Sequence, residues 1–347
     1  MGSSVAAELH AIQDGLAIWR STGECVLEIT GDDRASWLQG MVTCEVQLLQ
    51  DGESRYGCAL DVKGRLVADF HIYRDDPEAR LLLLVDTARA APLLSHLEQL
   101  LVAEDVELAE STYHATSLQG PGAVTALGIT DDSRDLHRLE INGTACLALA
   151  RSHTGHPGYD IILPPEDVVH VASALMEKEA VEVEDTTIER FRVYAAIPKI
   201  GLDTQEKTLL LEAGLNDAVH WGKGCYLGQE VVRRQGDRGH TNRELRQVVF
   251  DTNHPVLRGT ELWPLSDARK AAGTVWSSAI GPDGKQYALA TVKRKHFQPG
   301  TMLEAKREGE SMQCTITEKR IRSHAKRRDE NDPDLVGRSA GAHRALL

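Results

Sequence analysis

The sequence predicts an α+β fold in which two similar subdomains are followed by a small barrel or sandwich. A buried strand followed by an amphipathic helix occurs twice, about eighty residues apart, which favours paired α+β units over one doubly wound sheet. After residue 245, short strand candidates alternate with Gly-Pro and Asp-Gly turns, as in small β-barrels. With 347 residues, the chain is long enough for two or three such parts.

The first half of the chain supplies the first unit. Residues 24–30 partly alternate between apolar and polar side chains, which predicts a strand. Asp32 or Asp33 is a suitable N-cap for a short helix that carries Trp37 on its apolar face. The elements predicted next are a hairpin over 55–74 turning at Lys63-Gly64, a buried strand over 81–85 and a helix over 88–102.

The second unit repeats this pattern. Residues 159–163 predict a strand, and Pro164-Pro165 begin a helix. The apolar face predicted for that helix consists of Val168, Val169, Ala172, Leu175 and Met176. The strand candidates of the following barrel are 248–250, 262–263, 273–276 and 287–292.

These patterns predict three regions. Residues 1–244 contain the paired α+β subdomains, and residues 245–320 form the barrel. Residues 321–347 are polar and without periodicity, so we predict a disordered tail there. Its basic run at 326–328 leaves a docking strip open as an alternative to a solvated tail.

Composition excludes several classes of protein. The net charge of −13 argues against general nucleic-acid binding, and no apolar run approaches the roughly 20 residues that span a membrane. The six scattered cysteines include no Cys-x-x-Cys pair, and the histidines show no ligand spacing, so we predict neither a disulfide framework nor a metal site. The N-terminal residues do not resemble a signal peptide. We therefore expect a reduced, cytoplasmic protein.

One segment points directly to chemistry. Residues 223–230 read Lys-Gly-Cys-Tyr-Leu-Gly-Gln-Glu, and the two glycines predict a tight presenting loop. Cys225 would lie at its apex, close to Lys223, whose positive charge would favour the nucleophilic thiolate. The alternative is a buried cysteine in a glycine-rich turn, since a free cysteine behaves as a small hydrophobe.

The octapeptide resembles the Lys-Gly-Cys-(Tyr/Phe)-x-Gly-Gln-Glu signature of YgfZ-type proteins, which are folate-binding iron–sulfur maturation factors related to the glycine-cleavage T-protein. All seven specified positions match. The similarity spans roughly residues 10–305 and includes further stretches of the sequence. These are Trp37-Leu38-Gln39-Gly40, Leu60-Asp61-Val62-Lys63-Gly64-Arg65, the loop and strand at 154–160, and Ile197-Pro198-Lys199-Ile200-Gly201-Leu202-Asp203-Thr204.

The resemblance implies a T-protein-like fold, with two ferredoxin-like α+β subdomains around a folate-type cavity and a C-terminal β-barrel. It also implies an accessory protein that binds tetrahydrofolate, or another reduced folate, and serves iron–sulfur client or assembly proteins through a reactive Cys225. The first alternative is a folate-dependent aminomethyltransferase, and the second is a ligand-free scaffold. Whether the chain is an enzyme stays open. The signature, which T-proteins lack, favours the accessory role.

The resemblance further implies a set of site residues. Asp69 aligns with the second acid of an Asp-Asp pair that T-proteins use near the reacting folate nitrogen, and Ala68 replaces the first. Asp69 could instead end a solvent-facing hairpin position. Tyr194 stands where T-proteins often carry a pterin-binding glutamate, and tyrosine cannot make a two-point carboxylate contact. The other residues implied to bind the cofactor are Lys223, Tyr226, Gln229, Glu230, Arg234 and Tyr159.

The segment after the signature has a more conservative interpretation. Its polar groups could satisfy one another in a structural turn. If the turn continues as a helix, Glu230 and Arg234 lie one turn apart and face the same side. Arg234 would then be placed to clamp an anionic folate tail.

Overall fold

The computed structural model describes residues 4–20, 23–131, 133–237, 239–252, 254–265, 269–307 and 310–321. Its α-helices are α1 (Val5–Asp14), α2 (Arg34–Gln39), α3 (Thr87–Glu98), α4 (Ala123–Leu127), α5 (Val168–Met176), α6 (Asp185–Ala195) and α7 (Gln229–Asp237). None of the helices in these ranges combines the length and apolar character needed to cross a membrane.

The strands fall into three groups. The first eleven are β1 (Ala17–Trp19), β2 (Glu24–Thr30), β3 (Ser54–Leu60), β4 (Leu66–Asp75), β5 (Arg80–Asp86), β6 (Glu107–Glu110), β7 (His114–Gln119), β8 (Leu136–Ile141), β9 (Thr144–Ala150), β10 (Gly158–Leu163) and β11 (Val181–Glu182). The others are β12 (Arg243–Phe250), β13 (Glu261–Pro264), β14 (Gly273–Ile280), β15 (Gln286–Lys293), β16 (Met302–Arg307) and β17 (Glu310–Ile316).

Two sheets form the larger region. The first has the strand order β3-β4-β5-β2-β6, and the second has the order β11-β1-β7-β10-β9-β8. Pairing is antiparallel throughout, except between β1 and β11. The long crossover from β1 to β7 brings the second sheet beside the first. The predicted α+β architecture is therefore confirmed.

The sheets pack face to face and carry helices on their outer faces. A mixed cluster that includes Val26, Tyr73 and Ile162 fills the space between them. Apolar side chains from α2 and α3 cover the outer face of the first sheet, and those from α4 and α5 cover the second. One face of each strand therefore points into the layer between the sheets, since side chains alternate along a strand.

The helix α5 differs from its prediction in one respect. Its buried stripe consists of Val171, Ala172 and Leu175, whereas Val169 and Met176 are exposed. Val169 and Met176 are seven residues apart and form the neighbouring line of the helix surface. The predicted face was wrong at these two positions because its phase was displaced to one side of the stripe that contacts the sheet.

The C-terminal strands close into a barrel in the order β12-β15-β14-β13-β16-β17. The predicted barrel is confirmed, and the boundary predicted after residue 244 falls inside β12. A second cluster joins the barrel to the β3–β4 hairpin and to the segment before α7. Ile321 belongs to this cluster and is buried. The predicted tail otherwise lies at 322–347, outside the described residues.

Candidate functional site

The signature forms a loop that leads directly into α7, as predicted. Gly228 has a φ of +80°, and a Cβ there would lie 2.8 Å from the carbonyl oxygen of Asp61. A side chain at this position would collide with the tip of the β3–β4 hairpin. Gly64, in that tip, has a φ of +71° and packs against Val231 in the same way. Gly224 has open space around it, so the structure requires glycine only at position 228 of the two.

Lys223 anchors the loop from below. Its Nζ donates hydrogen bonds to the carbonyl oxygens of Val42, at 2.7 Å, and Cys44. The ammonium also lies 5.4 Å from the centre of the Tyr226 ring. Burial lowers the pKa of Lys223. The expectation that Lys223 activates Cys225 is not supported by these contacts, because the ammonium is directed into the protein towards the segment 42–44.

Cys225 is exposed, whereas the other five cysteines are buried. Its neighbour Tyr226 is buried in the cluster that joins the barrel to the hairpin. The Nε2 of Gln229 donates to the carbonyl oxygen of Gly224 at 3.1 Å and closes the loop. The alternative of a buried Cys225 is therefore wrong. The loop presents the thiol at the surface while its flanking residues hold the backbone in place.

Glu230 and Arg234 lie on the outer side of α7 and form an ion pair with each other. Their side chains are 82% and 57% exposed, respectively. Together with Gln229, Arg233 and Asp237 they line a shallow depression of about 620 Å³. The prediction that Glu230 and Arg234 share one face is confirmed by this pair. That face is on the surface, and their folate-binding role stays a prediction.

Asp69 lies on the face of β4 that is turned towards the second sheet, and this region with Tyr56, Glu24 and Arg151 is named the centre. Asp69 is on the same face as Tyr56 and Cys58 of β3, and it accepts a hydrogen bond from the Tyr56 hydroxyl at 2.9 Å. Protein surrounds the carboxyl, yet part of its surface stays accessible. Burial raises its pKa to about 6, against opposing effects of the Tyr56 hydrogen bond and the Arg151 charge. The centre therefore holds a carboxyl that titrates near neutral pH.

The position of Ala68 shows where the first acid of the Asp-Asp pair would lie in this fold. Ala68 packs into the cluster beneath α2 and α3, on the opposite face of β4 from Asp69. A side chain at position 68 points into that apolar layer, because neighbours on a strand face opposite ways. The acid that reaches the centre is the one the chain retains.

A network of charged side chains adjoins Asp69 between the sheets. Arg151, after β9, forms an ion pair with Glu24 of β2, in which one Nη donates a hydrogen bond at 3.1 Å and the other lies 2.9 Å from the carboxylate. Arg151 also lies 3.8 Å from Asp160, which accepts a hydrogen bond from His153 at 3.0 Å. Arg151, Glu24, Asp160 and His153 have side chains that are 5% exposed or less. The residue Arg151 therefore links the two sheets through Glu24.

The structure separates Tyr159 and Tyr194 from Asp69. Tyr159 points to the outer face of the second sheet, where its ring contacts that of His137 at 5.9 Å, while the neighbouring Asp160 points inwards. The Tyr194 ring lies 5.2 Å from that of Tyr287 in the barrel, and the ammonium of Lys319 lies 4.1 Å above it. Their roles as folate ligands stay predictions.

The comparisons with known proteins agree with this architecture. The family described as GCVT N-terminal domain matches residues 1–223. The chain belongs to this family. The aminomethyltransferase of Rippkaea orientalis is 27% identical over 336 residues, which cover 91% of this chain and 89% of that protein. The mitochondrial aminomethyltransferase of Flaveria trinervia is 26% identical over 313 residues, covering 84% and 76% of the two chains.

A solved structure gives the same fold. The glycine cleavage system aminomethyltransferase T of Bartonella henselae superposes with a TM-score of 0.82 over 92% of this chain and 90% of that one, at 18% identity. The predicted T-protein-like fold is confirmed. These relatives bear the name of the aminomethyltransferase, which is the alternative interpretation of the sequence, and the YgfZ-type assignment stays a proposal.

Five residues in or beside the centre were not predicted as site residues from the sequence, namely Tyr56, Glu24, Arg151, His153 and Asp160. A partial signal was present, because Asp160 interrupts an otherwise apolar buried strand and Arg151 directly follows another. A charge in such a position needs a partner. Spacing alone could not name that partner, since Glu24 and Arg151 are 127 residues apart. Among the described side chains, no group of three or more His, Cys, Asp or Glu is placed to hold a metal ion.

Proposed function

We propose that this protein binds a reduced folate at Asp69, beside the apolar cluster that joins the β3–β4 hairpin to the barrel, and acts there on the one-carbon unit that the folate carries. The observation that carries the proposal is Asp69, an enclosed but partly accessible carboxyl with a pKa of about 6. A group that titrates near neutral pH can accept and return a proton under physiological conditions. Asp69 also lies where the two sheets and the segment before α7 meet.

The residues around Asp69 fit a reduced folate. Such a ligand brings a flat ring system, N–H donors and a one-carbon unit on its ring nitrogens. Ionised Asp69 can accept a hydrogen bond from an N–H donor, and Tyr56 keeps the carboxyl oriented through its hydroxyl. The cluster that contains Tyr56, Cys58 and Tyr226 supplies the apolar surroundings that a ring system requires.

The first candidate reaction is aminomethyl transfer to tetrahydrofolate. The names of the relatives support it, since they align over most of this chain. Asp69 supports it as well, because the retained acid reaches the centre while position 68 faces an apolar layer. In this reaction Asp69 would hold the attacking amine and manage its proton.

The second candidate is the YgfZ-type accessory role in iron–sulfur cluster assembly or repair. It is supported by the seven-position signature and by the exposure of Cys225 on a loop fixed by Lys223 and Gln229. Iron–sulfur client or assembly proteins would be the partners, with the Cys225 thiol as the contacting group. Both candidate functions require folate binding, but the transferase depends on Asp69 and the accessory role depends on Cys225.

The test begins with tetrahydrofolate titrated into the purified protein, followed by calorimetry. We expect saturable binding that Asp69→Asn weakens and that Asp14→Asn, at an exposed position on α1, leaves unchanged. Turnover with an aminomethylated carrier protein would then support the transferase. Loss of client iron–sulfur enzyme activity in cells that carry only Cys225→Ala would support the accessory role. Absence of folate binding would contradict both candidates and leave a ligand-free scaffold.

A further inference from the structure

We propose that Arg151 and Glu24 act as a positioning pair, which joins the two sheets beside Asp69 and acts on that carboxyl through its charges. This inference rests on the proposed function only in assigning Asp69 a part in the folate chemistry. Arg151 and Glu24 touch neither a reacting atom nor Cys225, so their effect on any reaction passes through Asp69.

The ion pair between Arg151 and Glu24 joins the two sheets. Glu24 begins β2 of the first sheet, and Arg151 follows β9 of the second. One guanidinium Nη donates a hydrogen bond to the Glu24 carboxylate at 3.1 Å, and the other lies 2.9 Å from its second oxygen, so the two charges are in direct contact. The Tyr73 hydroxyl of β4 donates to the carbonyl oxygen of Ala150 at 2.9 Å, immediately before Arg151. The inner face of β4 is therefore docked beside this guanidinium.

The charges of the pair act on Asp69 in opposite directions. Arg151 lowers the pKa of Asp69 and Glu24 raises it. Burial alone would lower the pKa of Arg151, but the carboxylates of Glu24 and Asp160 raise it, so the guanidinium stays charged. Burial raises the pKa of Glu24, and Arg151 opposes this effect. The Glu24 carboxylate therefore helps to keep Arg151 charged, while Arg151 offsets part of the effect of burial on Glu24.

Other titratable groups face the same space. Tyr56 and Cys58 approach from β3, His71 from β4, and Asp217 from the segment before α7. Burial holds His71 neutral by lowering its pKa well below the usual value, and it raises the pKa of Cys58. His153 and Asp160 pair with each other in the second sheet. Among these groups, Arg151 acts on Asp69 from the second sheet, and Glu24 acts on it from β2 of the same sheet.

The experiment measures the titration of Asp69 in the ligand-free protein by ¹³C NMR of the aspartate carboxyls, with the Asp69 signal assigned by its loss in Asp69→Asn. We expect Arg151→Gln to raise the Asp69 midpoint, because it removes a positive charge that lowers the pKa of this carboxyl. Arg151→Lys should keep most of the wild-type value because it retains the charge. Glu24→Gln should move the midpoint downwards.

The opposite signs are what distinguish this role from a merely structural one. Loosening of the seam would hydrate Asp69 and lower its midpoint in all three variants. Shifts of one sign in Arg151→Gln and Glu24→Gln, or no shift in either, would overturn the proposal. If Arg151→Gln does not fold, the fall in Glu24→Gln and the retention in Arg151→Lys still decide it, because loosening predicts a fall in both.

A folate titration against pH in the same variants separates this inference from the proposed function. If the Asp69 midpoint moves as expected and the pH dependence of folate affinity moves with it, both are supported. If the midpoint moves while folate does not bind in any variant, the positioning role stands and the proposed function fails. If folate binds and the midpoint does not respond, the reverse holds.

Discussion

The polar centre around Asp69 draws its side chains from strands far apart in the sequence, whereas the Cys225 loop is one contiguous run of eight residues. At the centre, the charged groups are enclosed and each has a partner of opposite charge or a hydrogen bond. On the loop, the side chain of interest is exposed and the buried groups serve the backbone. The motif that is recognisable in the sequence, the Cys225 loop, therefore lies apart from Asp69, the carboxyl whose pKa the fold has shifted.

The two regions are nevertheless in contact. The β3–β4 hairpin carries Tyr56 and Asp69 on its strands, and its tip packs against Gly228 and Val231 at the start of α7. Tyr226 of the loop and Tyr56 of the centre belong to one apolar cluster. A disturbance at either region can therefore reach the other through the hairpin. Variants that break one region and spare the other are the sharpest tests.

The largest effect is expected for Asp69→Asn on folate-dependent transfer. An amide of the same shape keeps the Tyr56 contact but cannot take up a proton, and a positioned acid or base contributes roughly 10²–10⁴-fold to rate. The measurement is turnover at pH 7 with aminomethylated carrier protein, with Asp14→Asn as the matched control. Unchanged turnover in Asp69→Asn would mean that Asp69 takes no part in the reaction and would favour a role for the Cys225 loop.

The next effect concerns stability against pH. The folded-state pKa of Asp69 is raised to about 6 from an ordinary value of 3.8, so the folded state holds this proton more tightly than the unfolded state. That contribution is complete below about pH 4 and is lost as the pH rises through about 6. It amounts to at most about 3 kcal/mol, and less because the carboxyl is partly accessible.

Urea unfolding of the wild type and of Asp69→Asn between pH 4 and 7 checks this linkage. The difference in unfolding free energy between the two proteins should grow in favour of Asp69→Asn as the pH rises. A difference that is constant over this range would mean that Asp69 titrates as an ordinary surface acid.

A smaller effect is expected for Lys223→Met. The methionine fills a similar space, but the carbonyl oxygens of Val42 and Cys44 lose their donor, at a cost of about 1–3 kcal/mol for a buried acceptor. Urea unfolding gives the value, and Lys63→Met, at an exposed position in the hairpin tip, is the control. Equal stability of the two variants would mean that the anchor beneath the loop contributes nothing.

The smallest effects are expected at the surface of the loop. Cys225→Ala should change the unfolding free energy by less than about 0.5 kcal/mol, because the side chain is exposed. A thiol reagent should label one cysteine in the native protein and all six after denaturation. Rapid labelling of a second native thiol would contradict the burial of the other five.

Arg234→Ala should be equally mild, because an exposed pair one helical turn apart contributes about 0.3–0.5 kcal/mol. Its folate affinity should equal that of the wild type, since the guanidinium lies on the outer side of α7. A loss of about 1.5–3 kcal/mol in binding, as for a hydrogen bond to a charged group, would restore the clamp that the sequence predicts.

The sequence predicted the parts of this protein that depend on local pattern. The strand β5 followed by α3, the strand β10 followed by α5 and the hairpin turning at Gly64 follow from periodicity and turn residues, whereas the closed barrel was implied by the family resemblance. The signature loop was predicted as well, because its residues are adjacent. Among these elements, the apolar face predicted for α5 was displaced, because contact with the sheet selects the buried side of the helix.

The centre could not be predicted in the same way. The pairing of Glu24 with Arg151 depends on how two sheets pack, and no local rule encodes that contact. The direction of Lys223 was missed for a related reason, because the carbonyl groups that accept its hydrogen bonds precede it by 181 and 179 residues. The opposite orientations of Ala68 and Asp69 could have been predicted, because neighbouring side chains on a strand point to opposite faces of the sheet.

The residues that follow β17 have a practical consequence for anyone who shortens or labels the chain. Lys319 donates to the carbonyl oxygen of Tyr194 at 2.6 Å, Thr317 bonds to Gln247, and Ile321 is packed against Gly214. A chain that ends at the last barrel strand would lose all three contacts and expose the C-terminal end of α6 to solvent. A purification handle or a fluorescent fusion should therefore begin beyond Ile321.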